Sequence, residues 1–142
     1  MLDALPWQTL LRLAGVGQLA LALASLSIPG VLGWREQTAR LAPLTRQVFW
    51  TYAAYIWTSH VAFGLVSLLL PQALLGPGPL ATCVTGFIAL WWGARLALQL
   101  SCFDRSARPP GTLFALAEAA LTGAFVAFTG LYAALTLRHL HP

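Results

Sequence analysis

Four long apolar runs leave this chain few ways to fold. They cover about residues 9–32, 48–70, 80–102 and 112–137, and each is near the ~20 residues a helix needs to cross a hydrocarbon layer. Inside lipid, backbone N–H and C=O groups are satisfied only in a helix or a closed barrel. The runs lack strict two-residue alternation, so the expected fold is an all-α membrane protein, a four-transmembrane-helix bundle forming a single integral membrane domain over residues 1–142. Composition agrees. Only 8% of the 142 residues are charged and 58% are hydrophobic, whereas a soluble domain carries about 25% charged residues to clothe itself in water.

The connections give the spans an orientation. The segment 33–47 holds Arg35, Arg40 and Arg46 against Glu36, and its part before Pro43 has the character of a short amphipathic helix lying along the membrane. The segment 103–111 holds Asp104, Arg105 and Arg108. Arg12 and Arg138 fall on the opposite side. An excess of arginine marks cytoplasmic loops, so both segments are expected to face the cytoplasm and both termini to face outward. Between the second and third runs, Pro71-Gln72 through Gly76-Pro77-Gly78-Pro79 carries no charge and reads as a stiff turn. The formal charge of +4 is accounted for by these loop arginines, and no nucleic-acid partner is expected. The first run is too long for a secretory leader and no cleavage site follows it, so it is expected to be a retained span. The absence of Lys and Asn, with abundant Ala, Leu and Gly, suggests a GC-rich bacterial genome and hence a bacterial cytoplasmic (inner) membrane.

Ionisable groups are costly inside a bilayer and usually face protein. Three stand out: His60, Arg95 and Glu118. Arg95 precedes the 103–111 connection and Glu118 follows it at a similar distance. Counting from that turn puts them at one depth, as an ion pair or as neighbours in a polar pocket. Trp91, Arg95 and Gln99 recur at four-residue spacing with Trp92 beside them, a polar stripe with an aromatic wall. Such a stripe suits a cation–π contact to the guanidinium, an anionic headgroup, a quinone-type ring or a helix of another subunit. The candidate polar pocket is therefore His60, Trp91, Trp92, Arg95, Gln99 and Glu118. Tyr55 and Trp57 sit deep enough to join a core or pocket.

His60 invites a haem reading, since imidazole is a common axial ligand. A second ligand at matching depth is lacking, because His139 and His141 lie near the outer end of the fourth run. Arg138 to His141 reads as a solvated tail. Cys83 and Cys102 lie roughly 28 Å apart on one helix and cannot pair within the chain. No zinc spacing, P-loop, nucleophile elbow or HExxH motif occurs, so no metal, cofactor or catalytic residue is expected. On the fourth run, Gly123, Ala127, Gly130 and Ala134 form a smooth stripe where another helix can approach, read as a packing seam of the bundle or as a homo-oligomer contact.

Pro29 with Gly33-Trp34-Arg35-Glu36, then Leu41, Leu44, Arg46-Gln47 and Phe49, together with Trp92, Arg95-Leu96, Gln99 and Asp104, resemble a group of small bacterial four-helix membrane proteins with no assigned function. That resemblance implies fold and membrane location and no catalytic residue. The functional expectation is a small non-catalytic membrane protein: an accessory or structural subunit, or a binding module for a lipid or isoprenoid, with membrane lipids, other membrane subunits or further copies as partners. The alternatives are a membrane enzyme or carrier using His60, Arg95 and Glu118 on a hydrophobic substrate, and a haem- or quinone-binding redox subunit.

Overall fold

The computed structural model describes residues 4–102 and 111–141. The described residues form seven helices and no strand: α1 (Ala4–Ser25), α2 (Ile28–Val31), α3 (Trp34–Ala39), α4 (Pro43–Leu69), α5 (Pro71–Leu75), α6 (Pro79–Ser101) and α7 (Thr112–Leu140). Four stretches are long and apolar enough to cross a membrane: Pro6–Val31, Pro43–Leu69, Pro79–Ser101 and Thr112–Leu140. The chain is thus an all-α, multi-pass membrane protein. Asp104, Arg105 and Arg108 lie outside the described residues. Chain contacts divide the molecule into two compact units, residues 11–71 and residues 1–10 with 72–142.

Prolines set most of the helix boundaries. α1 stops at Ser25 because Pro29 has no N–H to offer the Ser25 carbonyl and its ring crowds it. The last carbonyls of α1 find other donors: Ser25 Oγ donates to Ala22 O and Ser27 Oγ to Ala24 O, each at 2.7 Å. The Trp57 indole Nε1 also donates to Ala22 O, at 2.9 Å. Gly33 then turns the chain at φ +60°, joining α2 to α3, a left-handed conformation that suits glycine. α4 begins with Pro43 in its first turn, where the missing N–H costs nothing. The second span therefore starts five residues before the expected Val48, and Thr45, Arg46 and Gln47 are helical rather than loop. The expected short helix before Pro43 is present as α3.

In the 11–71 unit, α1 and α4 run antiparallel and touch backbone to backbone. A methyl group on Gly15 would lie 2.7 Å from Leu68 N and 2.8 Å from Gly64 O. A methyl group on Gly64 would meet the Leu19 side chain at 2.8 Å. α1 buries Leu11, Ala14, Gln18 and Ala22, and α4 buries His60, Gly64 and Ser67. Both sets recur every three or four residues, the period of one helix face. Near the start of α4, Trp34 of α3 packs edge-on against Phe49 and Trp50, with ring centroids 5.1 and 6.1 Å apart.

In the other unit, α6 and α7 form a second antiparallel pair. α7 buries Phe125, Phe128, Tyr132 and Leu135. Their alternating three- and four-residue spacing is that of helices packing side by side at a shallow angle. α6 buries Ala81, Thr85, Ile88 and Trp92. Gly86 and Gly93 receive the Thr136 and Thr129 methyls, each 3.5 Å from where a glycine methyl would stand. Thr136 Oγ1 lies 3.0 Å from Thr85 Oγ1, a hydroxyl bridge between the helices. Arg138, in the last turn of α7, lies over the Trp7 ring at 5.6 Å.

Candidate functional site

The polar and aromatic groups expected to form one pocket divide between the units. His60 belongs to the 11–71 unit; Trp91, Trp92, Arg95, Gln99 and Glu118 belong to the other.

On α6, Trp92 is fully buried. Its ring stacks on Phe125 at 5.4 Å and tilts against Phe128 at 5.0 Å. The Arg95 guanidinium lies over the far partner of that stack, 5.1 Å from the Phe125 centroid. A cation over an aromatic face is attracted by the ring quadrupole, and more so away from water. Arg95 Nη1 also donates a long hydrogen bond of 3.5 Å to Gln99 Oε1, one turn along α6. Trp92, Phe125, Arg95 and Gln99 thus form a connected row. The sequence pattern points to Trp91 or Trp92 as the ring for such a contact, whereas the ring under the guanidinium is Phe125. Phe125, the ring on α7 that receives it, carries no polar signal in the sequence and was not singled out. Trp91 packs against Phe87 at 6.0 Å on another side of α6.

The register of α6 against α7 separates Arg95 from Glu118 along the helix axis. The contacts Gly86 to Thr136 and Gly93 to Thr129 place residue 127 of α7 level with Arg95. Glu118 then lies about nine residues further along, roughly 13 Å at 1.5 Å per residue. Equal depth had followed from counting outward from a symmetric turn. The two helices do not end level: the first two turns of α7 extend past Ser101, where α6 ends.

His60 is 8% exposed and shares the buried face of α4 with Gly64 and Ser67. The contacts of Gly15 with Leu68 and of Gly64 with Leu19 put Gln18 about one turn along from His60. Gln18 is wholly buried and its Nε2 donates to Ala14 O at 3.3 Å. Gln18 lies outside the expected polar pocket, although a lone amide in step with Leu11, Ala14 and Ala22 is a usable signal in the sequence. Tyr55 is exposed, while Trp57 serves the end of α1.

The small-residue stripe is not the face α7 buries. Gly123, Ala127, Gly130 and Ala134 are all exposed, and a methyl group on Gly123 or Gly130 would meet nothing within 4 Å. The aromatic row at 125, 128 and 132 takes the packing instead, because large side chains fill the space between helices that a smooth stripe leaves empty. The Arg138–His141 tail is also more ordered than expected. α7 continues to Leu140, and both ring nitrogens of His139 are buried without a hydrogen-bond partner. Among the described residues no group of three or more His, Cys, Asp or Glu is placed to hold a metal ion.

Comparison with family models, curated proteins and solved structures returns no match to this chain. The helical, four-span character implied by the sequence resemblance is present; no matching model supports the particular family.

Proposed function

We propose that this chain is a small non-catalytic integral membrane protein acting as an accessory subunit, with the exposed stripe of α7 docking on a transmembrane helix of a partner subunit. The observation that carries this reading is the division of α7 into two faces. One is filled by Phe125, Phe128, Tyr132 and Leu135 against its own chain; the other offers Gly123, Ala127, Gly130 and Ala134 outward. Lipid tails wet apolar side chains as well as protein does, so helix association in membranes relies on close backbone approach, which small residues permit. The loop arginines support a bacterial cytoplasmic membrane with segments 33–47 and 103–111 on the cytoplasmic side.

Purification from native membranes in a mild detergent tests the docking. The expected result is a stoichiometric membrane-protein partner that is lost from Gly130→Leu, while helix content stays that of the parent. A second copy of the chain in that place would replace the partner-subunit reading with a homo-oligomer. A chain that purifies alone from crosslinked native membranes would overturn both. Orientation is read from a single cysteine at Gln37 in a Cys-free chain: an impermeant maleimide should reach it only after the membrane is opened.

A further inference from the structure

The first basic connection does more than orient the chain. Arg35, Thr38 and Ala39 fall on one face of α3, at i, i+3 and i+4. Arg46 and Trp50 fall on one face of α4, at i and i+4. The two faces line a recess of about 280 Å³. Both guanidiniums come from exposed side chains, whereas Thr38 is 5% exposed and its hydroxyl donates to Arg35 O at 3.4 Å. Among the described residues no carboxylate lines the recess. Glu36 turns toward Gly33 instead, its Oε2 3.4 Å from where a Gly33 methyl would stand.

The recess is held in shape. Trp34 of α3 meets Phe49 and Trp50 edge-on at 5.1 and 6.1 Å, and these two contacts fasten α3 back onto the early part of α4, where Phe49 and Trp50 also meet edge-on at 5.8 Å. The left-handed Gly33 and the Ala42-Pro43 entry fix where the strap begins and where α4 starts. Two arginines on two elements therefore face one concavity without needing to be gathered by a ligand.

From these observations we infer that the recess binds the phosphate of an anionic membrane lipid. Planar guanidiniums match phosphate oxygens in two-pronged hydrogen bonds. The recess, about 280 Å³, has room for a headgroup phosphate whose acyl chains remain outside. Position supplies the rest. Tryptophans such as Trp50 favour the headgroup level, and α4 passes directly from Arg46 into a span whose Val48, Tyr52 and Ile56 are exposed. A phosphate in the recess would have hydrocarbon-facing side chains immediately beside it. A soluble phosphoester would leave that apolar flank unused. This inference is independent of the subunit reading, which rests on α7.

The test is lipid selection by the full-length protein. The chain is equilibrated with vesicles holding equal amounts of phosphatidylglycerol and phosphatidylcholine, and retained lipid is counted by mass spectrometry. The expected result is a preference for the anionic lipid that falls about thirtyfold in Arg35→Gln/Arg46→Gln, as two lost arginine–headgroup attractions imply. Arg40→Gln removes one charge from the same connection outside the recess, half that of the double variant, and should leave most of the preference. Circular dichroism confirms that each variant keeps its helices, and Arg35→Lys/Arg46→Lys supplies a second pair should the Gln variant unfold, expected to retain the charge and lose part of the selection. Equal retention of the two lipids by the parent protein would overturn the inference. So would a loss in Arg40→Gln as large, per charge removed, as in the double variant, which would reduce the effect to net charge. Full displacement of the lipid by inorganic phosphate would reassign the recess to a soluble anion.

Discussion

The two helix pairs solve one packing problem in opposite ways. α1 and α4 meet through their backbones at Gly15 and Gly64, with small and polar side chains on the buried faces. α6 and α7 meet through a row of large side chains, Trp92, Phe125, Phe128 and Tyr132, with threonine methyls resting on Gly86 and Gly93. The glycines look alike in the sequence and do different work. At Gly15 there is no room for a methyl group; at Gly93 there is ordinary contact distance. A glycine in a membrane helix is therefore informative only once the distance to the opposing backbone is known.

The sharpest way to break this contrast is Gly15→Ala. Its methyl would press on Leu68 N and Gly64 O, and backbone atoms cannot step aside as a side chain tip can. The α1–α4 pair should lose about 3 kcal/mol, the upper end of overpacking costs. Unfolding in mixed micelles, followed by helix content, would show it; a parent-like midpoint would mean that the two backbones do not meet there. Close behind comes Trp92→Ala on the other pair. Trp92 is wholly enclosed between Phe125 and Phe128, and emptying that space should cost about 3 kcal/mol by the same measurement. Trp92→Phe, which keeps a ring on Phe125, should recover most of it.

The spans themselves were plain in the sequence, because hydropathy and length decide them. The start of the second span was not. Thr45, Arg46 and Gln47 look like loop, and only Pro43 in a first helical turn says otherwise. The small-residue stripe of α7 was visible too, but spacing alone does not say which face a helix spends on its own chain. Phe125 and Phe128 decided that by volume. Arg95 and Glu118 were placed at one depth by counting from a turn, which works only when both helices end level. Arg35 and Arg46 were read as topology signals; their convergence on one recess depends on how α3 folds back, and the Trp34–Phe49–Trp50 contacts that hold it link residues too far apart in sequence to announce themselves.

Single hydrogen bonds carry smaller effects in both pairs. Trp57→Phe keeps a ring but removes the donor to Ala22 O at the broken end of α1. Ala22 O keeps Ser25 Oγ as a donor, so the expected loss is about 1 kcal/mol, one hydrogen bond between membrane helices together with the packing the smaller ring gives up. Thr136→Val is the counterpart on the second pair: it keeps the methyl on Gly86 and removes the hydroxyl bridge to Thr85. Each threonine oxygen also contacts a carbonyl of its own helix, Thr85 at Ala81 O and Thr136 at Tyr132 O, both 2.8 Å. Thr85 keeps that partner in the variant, so the cost should be smaller, about 0.6 kcal/mol. If Thr136→Val proved as damaging as Trp92→Ala, the α6–α7 pair would be held by its polar bridge and not by its aromatic row.

The smallest expected change has the opposite sign. Gly93→Ala adds a methyl group 3.5 Å from Thr129 Cγ2, and Gly130→Ala adds one where nothing lies within 4 Å. Neither methyl is crowded, and each restricts the unfolded chain and raises helix propensity. Each variant should gain about 0.5 kcal/mol or stay level with the parent. The two then diverge in native membranes. Gly93 faces its own chain, so its alanine variant should keep any partner of α7. Gly130 lies on the outward stripe, where even one methyl group holds a second helix away, and its variant should pull down less of the partner while being no less stable. A loss of stability in Gly130→Ala would place that face inside the chain's own packing and remove the reason for treating it as a contact surface.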